Sequence, residues 1–531
     1  MINQICSAKL RSWLLDEDEL ALLDVREEGV FGADGHLLFA VCLPMSRLEL
    51  EILSLVPRKT VRLVLCDGGD GLAERAAAKL SSWGYSNIFI LEGGVPGWEG
   101  AGNVIFRGVN VPSKAFGEFV EIKSNTPNVS AEKLKAMLEQ GENMVVLDSR
   151  PWIEYQRMNI PTGIDCPGAE LAYRIHDFVD DPDRTVVVNC AGRTRSIIGA
   201  QSLINAGIKN KVMALRNGTM GWALAGFDLE TGSNRNFPPI SDQGLKHALD
   251  CAKRVAKRFN VQSIDSTVLE NWRQETDLGT LYLLDVRNPE EYAAGHLPAS
   301  LSAPGGQLIQ ATDKWAGTYR SRLVLVDNNG VRATMTASWL IQMGWPHVFV
   351  LKDGLDNIPL EKGVQQAPVV PVENTVQLIA PEDLQIQLKS GSVTIIDFAT
   401  SLDYKAAHIK GAWWAVRSRL EGSLSSVPGD GPLVFTSPDG VLAAYAASDA
   451  SVLTDRPLKV LEGGTAAWRA MDLPQTKGFE NLADENNDIQ YKAYDHDDNI
   501  EFHMQEYLSW ETGLVEQVER DGTARFKHFQ L

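Results

Sequence analysis

One phrase recurs four times along the chain, and that repetition constrains the fold more than any single residue does. An apolar strand ends in Asp at LALLDVR (Asp24), MVVLDSR (Asp148), LYLLDVR (Asp285) and VTIIDFA (Asp397). A second apolar run follows each, ending at Asp67, Cys190, Asp327 and Ser437, which lie 43, 42, 42 and 40 residues further on. A third short strand then closes on a glycine turn, FILEGG, MALRNG, FVLKDG and KVLEGG, with Leu91, Leu215, Leu351 and Leu461 falling 24, 25, 24 and 24 residues beyond those endings. Three landmarks at matched spacing in four copies mark a tandem repeat with a period of about 125 residues, the size of a small domain.

Helical stretches such as AERAAAKLSSWG and ATMTASWLIQMG separate the strands. Short β-branched runs alternating with helices predict βα units, so each copy is expected to be an α/β module: a small, mostly parallel central sheet with helices on both faces. The expected modules are 1–112, 113–239, 261–368 and 369–476. Residues 240–260 between the second and third read as a linker helix, with Leu245, Ala248, Leu249, Ala252, Val255, Ala256 and Phe259 on one face. Residues 477–531 carry 13 acids against 5 Lys plus Arg. Their stripe of Met504, Tyr507, Leu508, Val515 and Val518 nevertheless predicts an amphipathic helix that closes the last domain interface.

Composition narrows the function. A net charge of −19 would repel a polyanion or an anionic membrane surface, so neither nucleic acid nor membrane is an expected partner. The cysteines Cys6, Cys42, Cys66, Cys166, Cys190 and Cys251 show neither a CxxC pair nor a zinc spacing; they read as free thiols of a reducing compartment, and no metal is expected. The N-terminus runs into the charged Asp16 to Glu19 without the apolar core of a signal peptide, and no apolar run reaches the roughly 18 residues of a membrane span. A cytoplasmic protein is expected.

Functional loops of a parallel sheet gather at the carboxyl ends of its strands, where the landmark residues fall. Only the second copy has a thiol there, in VVVNCAGRTRSIIGAQSL: a strand, Cys190, a short loop and a helix. Such a loop turns N–H groups inward, and the helix after it points its unsatisfied N–H groups and positive dipole end at the same place. With Arg193 and Arg195 nearby, that setting favours a thiolate and makes Cys190 a candidate nucleophile able to hold an anionic adduct. Cys66, one place before Asp67, should point into its module as a core thiol.

These residues resemble the catalytic loop of the rhodaneses, a Cys followed five positions later by Arg between a strand and a helix. DVRNPEEYAAGHLPAS, from Asp285 to Ser300, is similar to that family's first signature, and the glycine turns followed by Trp98, Trp222 and Trp468 look like another. The resemblance covers about 470 residues, all but linkers and tail. It implies four rhodanese-like modules with one working site and sulfane sulfur transfer through a cysteine persulfide. Cys190 would be the nucleophile. Arg193 and Arg195, with the loop residues Ala191, Gly192, Thr194 and Ser196, would bind a small anionic donor, and a thiol or cyanide would be the acceptor. No metal or organic cofactor is implied, and any acceptor protein is left open.

Asp67, Asp327 and Ser437 replace the nucleophile in the other copies. Neither a carboxylate nor an unactivated hydroxyl forms a persulfide, so those modules are expected to be silent. In the second copy Met158-Asn159 stands where Gly-His is usual, which implies a scaffolding role for that His elsewhere. Asp148 and Arg150 are expected to anchor the strand corner, with Arg150 pairing to Glu154, and Arg174 to form a surface ion pair or line the mouth. A cysteine phosphatase needs its Arg one place later, where Ser196 stands. A mercaptopyruvate sulfurtransferase loop would lack this arginine pair. A non-enzymatic scaffold or thiol redox sensor is the rival from another class.

Overall fold

The computed structural model describes residues 3–529 except 276, 353, 357 and 373–375; Asp353 of the third glycine turn thus lies outside the described residues. Four five-stranded sheets share one order: numbering the strands within each sheet along the chain, it is first, fifth, fourth, second, third. Among the described residues every strand pairing within these sheets is parallel. In the second module the strands are Asn128–Val129, Val212–Leu215, Thr185–Asn189, Met144–Asp148 and Ile164–Asp165. The strand that leads into Cys190 is therefore central. Its residues Val186, Val187 and Val188 are buried, as a sheet covered on both faces demands.

The modules do not fold as beads. One apolar core runs from Ile197 and Ile198 of the second module, through Phe116, to Leu284, Leu325 and Trp339 of the third. At that seam the fully buried Arg332 meets Glu170 Oε1 and Glu291 Oε2, each at 2.6 Å. The first and fourth modules meet through Arg417, whose guanidinium nitrogens lie 2.6 and 2.8 Å from the Glu49 carboxylate. The linker is the helix Asp242–Phe259, capped by the Ser241 side chain, and it packs against both the second and the third module.

Two expectations change at this level. Arg174 is buried, with Nε 2.6 Å from Glu170 and a second nitrogen donating to the Pro238 carbonyl at 2.9 Å. It is buried rather than on the surface because Tyr173, Phe237 and Pro238 of its own module cover it, and its partner Glu170 also meets Arg332 at the seam. The tail forms the helix Ile500–Asp521, but it packs chiefly on the helix Val111–Ser124 that leads into the second module, away from the last one. Among the described residues no helix is long and apolar enough to cross a membrane.

The landmark Asp carboxylates tie each strand end to its loop. Asp24, Asp148 and Asp285 each hold the Arg two residues on through paired nitrogens, and that Arg also reaches the carbonyl of Gly35, Met158 or Gly295. The fourth copy has Ala399 at the Arg position, so Asp397 accepts only the Ala399 N–H at 2.9 Å, and burial pushes its carboxyl up to about 7. The folded chain then keeps a proton that the unfolded chain, with an ordinary value of 3.8, gives up. Its contribution to stability is present below the unfolded value and is lost as pH rises through the folded one. Between about pH 5 and about pH 8 the fourth module should lose more stability in the wild type than in Asp397→Asn, as read from urea unfolding midpoints; equal losses would contradict this assignment.

Candidate functional site

Cys190 follows the last residue of the central strand, and the helix Thr194–Ala206 begins four residues later. The strand order fixes the carboxyl edge of the sheet as the location of the loop. The glycine turn closes it from one side: Thr219 N–H donates to the Cys190 carbonyl at 2.8 Å and Met220 N–H to the Ala191 carbonyl at 3.0 Å. Gly218 has φ +56°, and a Cβ there would lie 2.3 Å from the Cys190 carbonyl oxygen. Gly94, Gly354 and Gly464 stand equally close to the carbonyls of Asp67, Asp327 and Ser437, which is why the turn repeats with its landmark. Trp98, Trp222 and Trp468 are buried behind these turns and donate to the carbonyls of Val104, Asp228 and Pro474.

The silent copies show what this loop does. Asp67 gathers the N–H groups of Gly69, Gly71 and Ala73 at 2.8 to 3.1 Å. Asp327 gathers those of Asn329, Gly330, Arg332 and Ala333. Ser437 Oγ meets the single N–H of Ala443 at 3.3 Å. In two modules the landmark side chain is thus a carboxyl group met by several backbone donors, the kind of nest that strand, loop and helix start form, and burial pushes the Asp327 carboxyl up. Cys190, only 2% exposed, occupies the same position in the second module.

Both arginines were assigned above to the anionic donor, and the structure separates them. Arg195 donates to both Glu154 oxygens at 3.0 and 2.8 Å and to Gln307 Oε1 of the third module at 3.1 Å. Burial works against its charge, but Glu154 more than restores it, and the charge of Cys190 acts on it too. Glu154 is in turn held at about 2, Arg195 outweighing the effect of burial. Arg193 is instead committed to Glu118 at 2.6 and 2.7 Å, to Glu121 and to Asn217. It fastens the loop to the helix Val111–Ser124, because that helix brings two carboxylates to the guanidinium.

The remaining loop residues hold the backbone. Ser196 Oγ donates to the Arg193 carbonyl at 2.8 Å, and Thr194 Oγ1 to Glu511 of the tail at 3.2 Å. Arg150 pairs with Asp148, which also accepts from Asn189 at 2.9 Å; Glu154, expected as the partner of Arg150, belongs to Arg195. Asn159 donates to the Tyr155 carbonyl, the same carbonyl contact that His296 and His408 make with Tyr292 and Tyr404 while stacking on those rings. Cys66 is buried in the first module's core, as expected. Among the described residues no group of three or more His, Cys, Asp or Glu side chains is placed to hold a metal ion.

The pairing of Glu154 with Arg195, and the roles of Glu118, Gln307 and Glu511, were not found from sequence. Glu154 had a signal: Arg stands five residues after the landmark only in copies two and three, and Glu stands six after the strand-end Asp in those same copies, as Arg195 with Glu154 and Arg332 with Glu291. The others come from distant segments with no pattern of their own.

The Rhodanese-like domain matches residues 8–101, 130–225, 267–359 and 380–471, and the chain belongs to the rhodanese family. A solved thiosulfate sulfurtransferase from Pseudomonas aeruginosa is 47% identical, covers 100% of both chains and superposes with a TM-score of 0.95. A sulfurtransferase from Allochromatium vinosum is 30% identical over 98 residues, 18% of this chain and 89% of that protein. An HTH-type transcriptional regulator from Mycobacterium tuberculosis is 31% identical over 105 residues, 20% of this chain and 45% of the regulator, so the chain spans less than half of that relative. With the full-length likeness, the family places the chain among the sulfurtransferase enzymes.

If the loop N–H groups need an acceptor, removing one is costly. Asp327→Ala would strand four donors, two of them buried, and should destabilise the third module by about 2 kcal/mol or more in denaturant unfolding. A change under about 0.5 kcal/mol would mean the nest does not depend on its carboxyl group.

Proposed function

We propose that the protein moves a sulfane sulfur from thiosulfate, or a related anionic donor, to a thiophilic acceptor through a persulfide on Cys190. The observation that carries this reading is the position of Cys190: it stands where the carboxyl groups of Asp67 and Asp327 accept from loop N–H groups, with the anchored cation Arg195 beside it. The full-length likeness to a thiosulfate sulfurtransferase supports the choice of donor.

The Cys190 thiolate attacks the outer sulfur of thiosulfate; the sulfur–sulfur bond breaks and sulfite leaves with its electron pair. The outer sulfur, now bonded to Cys190, carries negative charge into the nest formed by Ala191, Gly192, Arg193, Thr194, Arg195 and Ser196. Pre-aimed N–H dipoles stabilise it without reorganising. Arg195 steers the donor and offsets charge on departing sulfite, its orientation set by Glu154 and Gln307. A nucleophilic acceptor, cyanide or a small thiol, then attacks the outer sulfur and Cys190 leaves as thiolate. The persulfide is the only covalent intermediate, with no metal or organic cofactor. Arg193, Asp148, Arg150 and Arg174 are positioning residues in this scheme. The module limits 1–112, 113–239, 261–368 and 369–476 stand as the proposed boundaries, and six free cysteines support a reducing, cytoplasmic setting.

Steady-state transfer from thiosulfate to cyanide tests the proposal. Wild type should turn over and Cys190→Ser should not. Arg195→Ala should lower kcat/KM by about 100-fold or more, since one such charge-stabilising donor is worth about 3 kcal/mol. Glu154→Gln, which leaves the cation but loosens its anchor, should cost less than Arg195→Ala. A wild type without turnover across several donors would favour a scaffold or a thiol sensor instead.

A further inference from the structure

The C-terminal segment reaches the catalytic loop. Met504 and Leu508 of the terminal helix close an apolar cluster with Ala493 and with Met220, the residue whose N–H meets the Ala191 carbonyl. The helix is locked there by charge. Glu511 is fully buried and accepts from Lys114 at 2.9 Å, from the Tyr507 hydroxyl at 2.9 Å and from Thr194 at 3.2 Å. The Tyr507 ring sits so near the loop that a Cβ on Gly192 would lie 3.1 Å from its Cε1.

The same lock fixes the short 3-10 turn Ala493–Asp495 in front of the loop. Arg157 holds it from below, donating to the Tyr494 carbonyl at 3.3 Å and to Asp495 at 3.4 Å, with its guanidinium 5.3 Å over the Tyr494 ring. Tyr494 is half-buried, packs against the Met220, Met504 and Leu508 cluster, and lies within electrostatic reach of Glu154, Arg195, Arg150 and Cys190. Burial, reinforced by Glu154, pushes its phenol up to about 12, which keeps it a hydrogen-bond donor at working pH. Among the described residues nothing bonds its hydroxyl, whereas the Tyr507 hydroxyl is already engaged.

We propose that Tyr494 determines donor specificity at the Cys190 site, its hydroxyl donating a hydrogen bond to an oxygen of an oxyanionic sulfur donor while Arg195 carries the charge. The proposal rests on the sulfurtransferase reading and deepens it. A sulfonate end offers several oxygen acceptors, and one cation fixed by Glu154 and Gln307 leaves some unmet. A neutral phenol meets one without adding charge beside a nucleophile that must stay anionic. It also discriminates, because an organic persulfide has no such oxygen to accept the bond. The site would then be assembled from three parts of the chain: the second module's loop, Gln307 of the third module, and the tail.

The test compares thiosulfate and glutathione persulfide as donors, with cyanide as acceptor, in full-length wild type and Tyr494→Phe. A hydrogen bond to a charged group is worth about 1.5 to 3 kcal/mol, so kcat/KM for thiosulfate should fall about 10-fold to 100-fold, mainly through KM. The rate with the persulfide donor and the unfolding midpoint should stay within about twofold and about 1 °C. A purely structural wall would change both donors alike. Equal losses, or no loss with thiosulfate, in a working wild type overturn the assignment alone. A wild type that works with the persulfide but not with thiosulfate overturns it too. A wild type inactive with both donors overturns the sulfurtransferase reading and this assignment with it.

Discussion

Backbone N–H groups converging on one point at the carboxyl edge of a parallel sheet set the terms for everything else in this chain. A buried donor left without an acceptor costs free energy, so whatever residue ends the central strand must supply one. Aspartate does it in the first and third modules with three and four N–H contacts, and serine does it more thinly in the fourth. Cysteine occupies that point in the second module, and under the proposed function it would be a side chain that can take on and release sulfur. The four copies then differ at this strand end by one side chain on a shared fold.

The silent copies are retained for contact as well. Gln307 of the third module steadies Arg195, and the third module's own loop arginine, Arg332, is drawn to Glu170 of the second. That ion pair lies in a seam with little access to water. Removing one partner there would leave a buried charge uncompensated, which costs more than the pair contributes when intact. The arrangement binds the third module to the second, and Arg332 with Glu291 preserves in the third copy the pairing that Arg195 and Glu154 make in the second.

Much of the architecture could be read from residues close together in sequence. Landmark spacing gave the four modules and the place of Cys190 at a strand end, and the repeating glycines gave a turn after the third strand, whose close approach to a carbonyl only the structure shows. The linker helix followed from its stripe. What escaped was set by long-range pairing: Glu118 lies 75 residues before Arg193, and Glu511 lies 317 beyond Thr194. No local pattern says which carboxylate will claim a given guanidinium, so Arg193 looked as available as Arg195. The tail's apolar stripe was visible as well, but a stripe shows only that a face will be buried and leaves its partner open. It found the loop of the second module because the helix Val111–Ser124 offered both an apolar face and Lys114.

The most direct measurement of the central claim is peptide-level mass analysis of the full chain after thiosulfate treatment and rapid alkylation. The account predicts one added sulfur on the peptide containing Cys190 and none on those containing Cys6, Cys42, Cys66, Cys166 or Cys251. Added sulfur spread over the other cysteines, or absent from Cys190, would contradict it.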